Sequence, residues 1–346
     1  MLTTLIAAAA ICGLQQQSAS ISDAQKQQTV EALLDELDKS YVFPDLAKKA
    51  DDKVRKILTG GGYKEVTDPA AFASRLAKDV NDVLHDAHFR IHYSAENLPV
   101  REDNEEPSQA EIDAQRLMIK RLNGGIEKVE RLPGNIGYLE VRSFLAGQDI
   151  SRPAAAAFEF LKDTDALILD LSRNGGGDPE AVCILCSYFF GEEPVHLNDI
   201  YSRPRDKTQE FWTLKDLPAP RYNGKPVYVL TTKSTGSGAE ECAYDLQTQG
   251  RATIVGGVTW GGANPGGTVR LNDHFSAFIP TGRAINPITK TNWEGTGVIP
   301  DVEAAPGDAL AAAQVLALKK IIATTDDEQW AAMLKQRIEE LQKGGS

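Results

Sequence analysis

PVYVLTTKSTGSGAEECAYDLQTQ, residues 226–249, joins an apolar run to a helix-like run through a short turn. The apolar residues of Pro226–Thr231 predict a buried strand, and Ala239–Gln249 predicts a helix that begins just after Ser237. The turn holds a serine between two glycines, at the point where the strand gives way to the helix. A nucleophile placed here would lie beside the first N–H groups of a helix.

Ser237 permits two interpretations. The N–H groups and the positive dipole end of a helix can stabilise a developing oxyanion, and the flanking glycines let a substrate backbone come close. The pair Ser237 and Glu240 also fits a capping box, in which the two side chains satisfy unpaired N–H groups. Taken alone, the segment favours capping over catalysis.

Outward from this turn, strand-like and helix-like runs alternate from Ile136 to Gln249, which predicts an α/β domain with a largely parallel sheet. Between Asp23 and Leu84, apolar residues recur at helical spacing and predict a small helical bundle. The predicted organisation is a signal peptide (1–20), a helical bundle (21–93), a polar linker or lid (94–132), the α/β domain (133–325) and a C-terminal helix (326–346). The acidic segment 102–111 is interpreted as a lid, a linker or an interface.

Composition limits the class of protein. The chain has 346 residues, of which 42% are hydrophobic, so it can bury a large core. Its net charge of −12 opposes binding to nucleic acid or to anionic membranes. The uncharged, apolar start of the chain predicts a signal peptide and an exported protein, periplasmic or secreted, with no membrane-spanning segment after its removal. Cys183 and Cys186 are interpreted as small core residues.

Three further clusters bear on chemistry. The glycine-rich segment Asp170–Asp178 follows the most apolar strand and predicts an oxyanion hole, a phosphate-binding nest or simply a tight turn. In His85–His92, three histidines would form a metal site on a continuous helix, whereas a helix end near Asp86 leaves one histidine as a general base. Glu294 follows a tryptophan in a turn, so it is either a surface carboxylate or the group that orients a histidine.

Together these motifs resemble the tail-specific or carboxyl-terminal-processing serine peptidases. The branch most similar is that of interphotoreceptor retinoid-binding protein and the tricorn protease core. The resemblance rests on Asp86-Ala87-His88, Asp170–Gly177, Ser237–Glu240 and the ending Trp293–Asp301. It implies a crotonase-like α/β catalytic core preceded by an N-terminal helical bundle.

The resemblance also implies the roles of individual residues. Ser237 is the expected nucleophile, His88 the general base and Glu294 the carboxylate that orients it. The N–H of Gly176 or Gly177, together with that of Gly238, is expected to hold the oxyanion. The implied reaction is peptide-bond hydrolysis through a covalent acyl-enzyme, with a peptide or protein as substrate and with no metal or organic cofactor.

The sequence departs from the wider family in two places. The Ser/Lys dyad of the carboxyl-terminal-processing branch is excluded, because the segment Thr259–Ala263 has glycine where that branch has lysine. Residues 94–132 are too few for the PDZ domain that the same branch inserts there. Two alternative functions stay open at this stage: a non-catalytic binder of apolar ligands on the same scaffold, and a hydrolase of small esters or amides.

Overall fold

The computed structural model describes residues 20–100, 108–145 and 147–343. The predicted signal peptide lies outside these ranges apart from Ser20, and so do residues 102–107 of the acidic segment. No helix within the three ranges is both long enough and apolar enough to cross a bilayer.

The first and third helices begin at residues whose side chains cap them. Ser22 and Gln25 form a capping box at the start of the first helix, and Asp68 caps the third, whose first residue is a proline. The described helices are α1 (Asp23–Ser40), α2 (Pro44–Thr59), α3 (Pro69–Leu84), α4 (Gln109–Arg121), α5 (Ser151–Leu161), α6 (Pro179–Ser187), α7 (Gly238–Thr248), α8 (Ala309–Ile322) and α9 (Glu328–Lys343), with short 3₁₀ turns at Asn123–Gly125 and Gly147–Ile150.

The described strands form one six-stranded sheet and two three-stranded sheets. They are β1 (Arg90–Tyr93), β2 (Ile126–Leu132), β3 (Ile136–Val141), β4 (Ala166–Asp170), β5 (His196–Ser202), β6 (Lys207–Trp212), β7 (Val227–Thr231), β8 (Thr253–Gly256), β9 (Gly266–Arg270), β10 (Phe275–Pro280), β11 (Gly282–Ile285) and β12 (Val302–Glu303). The large sheet has the order β12-β8-β7-β4-β3-β2, and only its β2–β3 pair is antiparallel. The predicted α/β fold with a largely parallel sheet is confirmed.

The parallel order brings three loops to one edge of the large sheet. β4, β7 and β8 are neighbours, and Leu169 pairs with Val229 while Val229 pairs with Ile254. Because the carboxyl ends of parallel strands meet at the same edge, the segments that follow these strands converge there. They are the glycine turn after Asp170, the turn that carries Ser237, and the loop after Gly256.

The helical bundle is joined to the α/β domain through a shared core. Apolar side chains of α1, α2 and α3 pack in one cluster with Phe275, Ala277 and Ile279 of β10. β1 follows the bundle directly and pairs with β10, with Ile91 opposite Ala277. Since His88 lies just before β1, this pairing carries it from the bundle to the α/β domain.

Residues 94–132 contain more regular structure than a polar linker. α4 has a single buried residue, Ile119, whereas β2 is an edge strand of the large sheet and pairs with β3. The sheet therefore begins at Ile126, seven residues before the predicted boundary. The prediction was based on the polar character of this segment, and alternating polar residues suit an edge strand with one solvated face.

Two buried acids lie side by side on α7, on the face opposite the solvent. Glu241 accepts a hydrogen bond from Asn198 Nδ2 at 3.1 Å, and Asp245 accepts one from Asn286 Nδ2 at 3.3 Å, but Asp245 Oδ2 has no partner among the described residues. Burial raises the pKa of Glu241 to about 7, and burial together with the charge of Glu241 raises the pKa of Asp245 well above its usual range. These acids are therefore best accommodated when they are protonated.

We expect Glu241→Gln to stabilise the protein at alkaline pH. The folded state holds a proton on Glu241 up to about pH 7, whereas the unfolded chain releases it near 4.5, so stability falls as the pH rises through that interval. The neutral amide removes this loss and should raise the free energy of unfolding at pH 8 by ~1–3 kcal/mol. Denaturant unfolding at pH 5 and pH 8 measures the change, with Glu193→Gln, an exposed glutamate, as control. Equal stability of wild type and Glu241→Gln at pH 8 would contradict the expectation.

Candidate active site

Ser237 has a backbone conformation that residues other than glycine rarely adopt. Its φ is 52° and its ψ is −122°, and it immediately precedes α7. Such strain persists only where the surroundings impose it, and it clusters at functional sites. Glu240 supplies part of that support, because its carboxylate accepts the N–H of Ser237 at 2.8 Å. The capping interaction thus exists beside the strained geometry, and the two interpretations of this turn are compatible.

The glycine turn after β4 packs directly against Ser237. A Cβ on Gly176 would lie 2.7 Å from the Cβ of Ser237, and one on Gly238 would lie 3.1 Å from the nitrogen of Gly177. Gly176 and Gly177 have φ of 105° and 140°, which side chains disfavour. This close approach of two backbones explains why the turn is made of glycines.

Two of the three N–H groups expected to bind an oxyanion have no partner among the described residues. The N–H of Gly176 donates to Oδ1 of Asn174 at 2.8 Å, so it holds the turn together instead. Neither Gly177 nor Gly238 donates its N–H to another described group. The sequence left open whether Gly176 or Gly177 would offer its N–H to an oxyanion. Of these two N–H groups, that of Gly177 is the one without a described partner, so it is the candidate.

His88 lies in the loop between α3 and β1 and is 7% exposed. The helix ends at Leu84 and the strand begins at Arg90, so the separation of His85, His88 and His92 expected for a helix-to-strand junction is confirmed. The imidazole is enclosed by Trp260, edge-on with ring centroids 4.8 Å apart, and by Phe278, stacked at 5.8 Å. Burial, and then the charge of Arg90, lowers the pKa of His88 to about 4. At neutral pH the ring is therefore uncharged and able to accept a proton.

Glu294 reaches the same place from the other end of the chain. One ring nitrogen of His88 and one carboxylate oxygen each of Asp86 and Glu294 lie within 4.8 Å of one another. Glu294 accepts the N–H groups of Ala87 at 2.8 Å and Ala263 at 2.6 Å. Burial, and then the nearby charge of Asp86, raises the pKa of Glu294 to about 7. Asp86 is held in turn by the Asn264 amide at 2.8 Å.

The structure thus brings the three predicted residues to one region but leaves two direct contacts unmade. The Nδ1 atom of His88 is buried and has no hydrogen-bond partner among the described residues. No hydrogen bond joins His88 to Ser237 or to Glu294 within the described ranges. Hydrogen bonds of catalytic groups are often long in the free enzyme and shorten when substrate binds.

Trp260 lies next to both the turn that carries Ser237 and the ring of His88. The sequence did not single out this residue. A Cβ on Gly236 would come within 3.0 Å of the indole, and the indole contacts the ring of His88. Trp260 belongs to the glycine-dense loop that follows β8. Its density of glycines was the available signal, but it did not identify the tryptophan.

Family models match two adjoining parts of the chain. Residues 135–304 match the model described as peptidase family S41, and residues 18–122 match the N-terminal domain of that family in eukaryotic IRBP. Together the two matches cover the helical bundle and the large sheet with its three loops, apart from the edge strand β2. The chain belongs to peptidase family S41.

Relatives of this S41 chain include a carboxyl-terminal-processing protease of Synechocystis sp., 32% identical over 132 residues. That match covers 37% of this chain and 29% of the relative. The chain spans between 29% and 38% of the length of the carboxyl-terminal-processing relatives that it matches. The likeness therefore concerns a part of each relative.

Solved structures with the same fold cover most of this S41 chain. A putative peptidase from Parabacteroides merdae is 22% identical, with a TM-score of 0.61 over 85% of this chain and 96% of that one. A lipoprotein from Streptococcus agalactiae is 16% identical, with a TM-score of 0.55 over 85% and 96%. At these identities the comparison supports the fold and leaves the chemistry to the residues themselves.

The group that Asp86, His88 and Glu294 form in this S41 chain also has a composition that could ligate a metal ion. Both carboxylates already accept N–H groups, since Asp86 accepts the N–H of His88 at 3.0 Å and the Asn264 amide, while Glu294 accepts three backbone N–H groups. These donors stabilise the charged carboxylates without a cation. The arrangement therefore suits proton transfer to and from His88.

We expect Gly262→Ala to lower the activity of this S41 chain by displacing its histidine. A Cβ at this position would lie 2.8 Å from Cε1 of His88 and 2.7 Å from the Trp260 ring, so one of these rings has to move. Displacement of a catalytic group by about 1 Å can cost roughly 10²-fold in rate. The measurement is kcat/KM on a peptide substrate.

Gly267→Ala is the matched control, because a Cβ there has no heavy atom within 4 Å. It should retain the activity of wild type. Equal activity of the Gly262→Ala and Gly267→Ala variants would show that the position of His88 is not limiting.

Proposed function

We propose that this chain is an exported serine peptidase in which Ser237 is the nucleophile, His88 the general base and Glu294 the carboxylate that supports it. The observation that carries the proposal is the strained backbone of Ser237 at the start of α7, beside the N–H groups of Gly177 and Gly238, which have no partner among the described residues. This turn places Ser237 directly against the glycine turn that carries one of the two donors and next to the other. This is the geometry that acyl transfer requires.

The reaction follows from these positions. Ser237 Oγ attacks the carbonyl carbon of the peptide bond as its proton passes to His88, and the carbonyl oxygen becomes an oxyanion that Gly177 and Gly238 stabilise. His88 then gives the proton to the leaving amine, and the C–N bond breaks to leave an ester on Ser237. Water, deprotonated by His88, hydrolyses this ester and restores the serine.

Glu294 acts when His88 becomes positively charged. The pKa of the free imidazole is low because of its burial and, next, the nearby charge of Arg90. A carboxylate within 4.8 Å stabilises the imidazolium that forms during attack, provided that it is itself ionised. The raised pKa of Glu294, about 7, therefore predicts that activity increases as the pH rises through neutrality.

A polypeptide is the proposed substrate. The relatives that the chain matches are carboxyl-terminal-processing proteases, although each is matched over only part of its length. Export is proposed from the uncharged, apolar run Leu2–Leu14.

Labelling with a fluorophosphonate, read by intact-protein mass spectrometry, tests the activated serine. We expect one adduct on wild type, no adduct on Ser237→Ala and slow labelling of His88→Ala. An adduct that persists on Ser237→Ala, or no adduct on folded wild type, would overturn the proposal. Comparison of peptide with small-ester hydrolysis by wild type then tests the substrate class, because an esterase without peptidase activity would contradict that part.

A further inference from the structure

A second cleft lies at the end of the large sheet opposite Ser237. It has a volume of about 920 Å³ and is formed where β4, β7 and β8 begin and where the end of α8 passes over them. We call it the basal cleft. Its lining residues include Asp165, Lys225, Tyr228, Arg251, Lys320 and Trp330. Its volume lies within the usual range for small-molecule sites, ~300–1,000 Å³. The basal cleft lies at the start of β7 and the turn of Ser237 lies beyond its end, and the strand itself spans about 15 Å. The cleft is therefore distinct from the peptidase site.

The basal cleft is positively charged although the whole chain carries a net charge of −12. Lys225, Arg251 and Lys320 line it, and Asp165 is the carboxylate among its lining residues. Asp165 Oδ2 accepts a hydrogen bond from Asn135 at 2.9 Å. None of the three cations forms an ion pair within the described ranges. Local charge of this sign, in an otherwise acidic protein, attracts anions.

Lys225 and Arg251 are both held by backbone carbonyls, since Lys225 Nζ donates to the oxygens of Lys162 and Thr164. Arg251 is held in a similar way. Its Nε and Nη2 atoms donate to the backbone oxygens of Phe189 and Tyr222, and no described carboxylate compensates its charge. The carbonyl contacts hold the guanidinium in place but occupy only part of its five N–H groups. Burial lowers the pKa of Arg251, which indicates a cation that is desolvated without an anionic partner. An oxyanion in the cleft would supply that partner.

The other polar groups of the basal cleft are mainly hydrogen-bond donors. Three of these donors make no hydrogen bond to any residue that the structure describes: Lys320 Nζ, the Tyr228 hydroxyl and the Trp330 indole N–H. Tyr228 lines the cleft and is 7% exposed. Two aromatic rings beside these donors offer apolar surface for a flat group.

We propose that the basal cleft binds a small organic oxyanion, a carboxylate or phosphate carried on a flat apolar group. Arg251, Lys225 and Lys320 would neutralise the oxyanion, and Tyr228 would donate to it. Trp330 would contact the apolar group. The proposal is independent of the peptidase chemistry, because none of these residues belongs to the site of Ser237.

Isothermal titration of the full chain tests the proposal with three probes: phenyl phosphate, benzoate and inorganic phosphate. The Ser237→Ala variant is titrated alongside wild type and should bind equally, which separates this result from any failure of the peptidase proposal. We expect saturable binding of at least one ring-bearing anion, tighter than that of inorganic phosphate and weakened by salt. Phenyl phosphate and benzoate distinguish a phosphate site from a carboxylate site.

Lys320→Ala and Lys319→Ala form a matched pair, because both lysines are exposed at the end of α8 and only Lys320 lines the cleft. Loss of a charge-assisted contact should weaken binding about tenfold in Lys320→Ala and leave Lys319→Ala unchanged. Tyr228→Phe should also weaken binding while circular dichroism stays that of wild type. Any of three results would overturn the assignment. They are the absence of saturable binding by all three probes at millimolar concentration, equal effects of the two lysine variants, and equal affinity for inorganic phosphate and phenyl phosphate.

Discussion

Ser237→Ala is expected to lower kcat/KM for peptide hydrolysis by about 10⁴-fold or more, because no acyl-enzyme can form without the hydroxyl. The protein should remain folded, since Ser237 is partly exposed and its backbone N–H still donates to Glu240. Alanine keeps the positive φ of 52° that serine already adopts, so the backbone strain is the same in both and little change in stability is expected. Steady-state kinetics and denaturant unfolding measure the two effects separately.

The control is Ser234→Ala, an exposed serine three residues earlier in the same turn. Its activity should equal that of wild type. If Ser237→Ala kept more than a tenth of wild-type activity, another residue would have to be the nucleophile, and the scheme above would be wrong.

Glu240→Gln is expected to lower kcat/KM by about 10²-fold and also to destabilise the protein. Glu240 is fully buried and accepts four hydrogen bonds, from the N–H of Ser237, the hydroxyl of Thr259 and the N–H groups of Gly261 and Gly262. It therefore joins the nucleophile turn to the loop that encloses His88. A glutamine has one NH₂ in place of an oxygen, so two of the four donors would face another donor.

The expected cost of this mismatch is ~2–5 kcal/mol of folding stability, because each buried N–H left without an acceptor costs roughly 1–3 kcal/mol. Displacement of Gly262 would move the ring of His88 and account for the loss of activity. Glu241→Gln is the matched control, since Glu241 is the adjacent buried acid but does not contact the loop. A Glu240→Gln variant with wild-type kcat/KM would show that the loop does not depend on this carboxylate.

The sequence predicted the elements that depend on near neighbours. The strand Pro226–Thr231, the helix that follows Ser237 and the C-terminal helix are confirmed, because each depends on periodicity and capping within a few residues. The strands β5, β6, β9 and β10 were not predicted. β6 shows why: of its six residues only Phe211 is buried, so the alternation that identifies a strand is absent.

The sequence could identify Ser237, His88 and Glu294 as candidates only through their local motifs and the resemblance that those motifs carry. It gave no sign that Trp260 would enclose the histidine or that Asn264 would hold Asp86. It also left open whether Gly176 or Gly177 offers an N–H to the oxyanion. That choice depends on the Asn174 side chain, whose hydrogen bond to Gly176 exists only in the folded turn.

What the sequence alone determined was thus the set of local elements, the charge of the chain and the residue types available for catalysis. The tertiary structure decided which of them meet. His88 and Glu294 are separated by more than 200 residues and come together because β1 pairs with β10 and because β4, β7 and β8 end at one edge of the sheet. Such contacts depend on the burial of apolar faces across the whole fold, which no local pattern records.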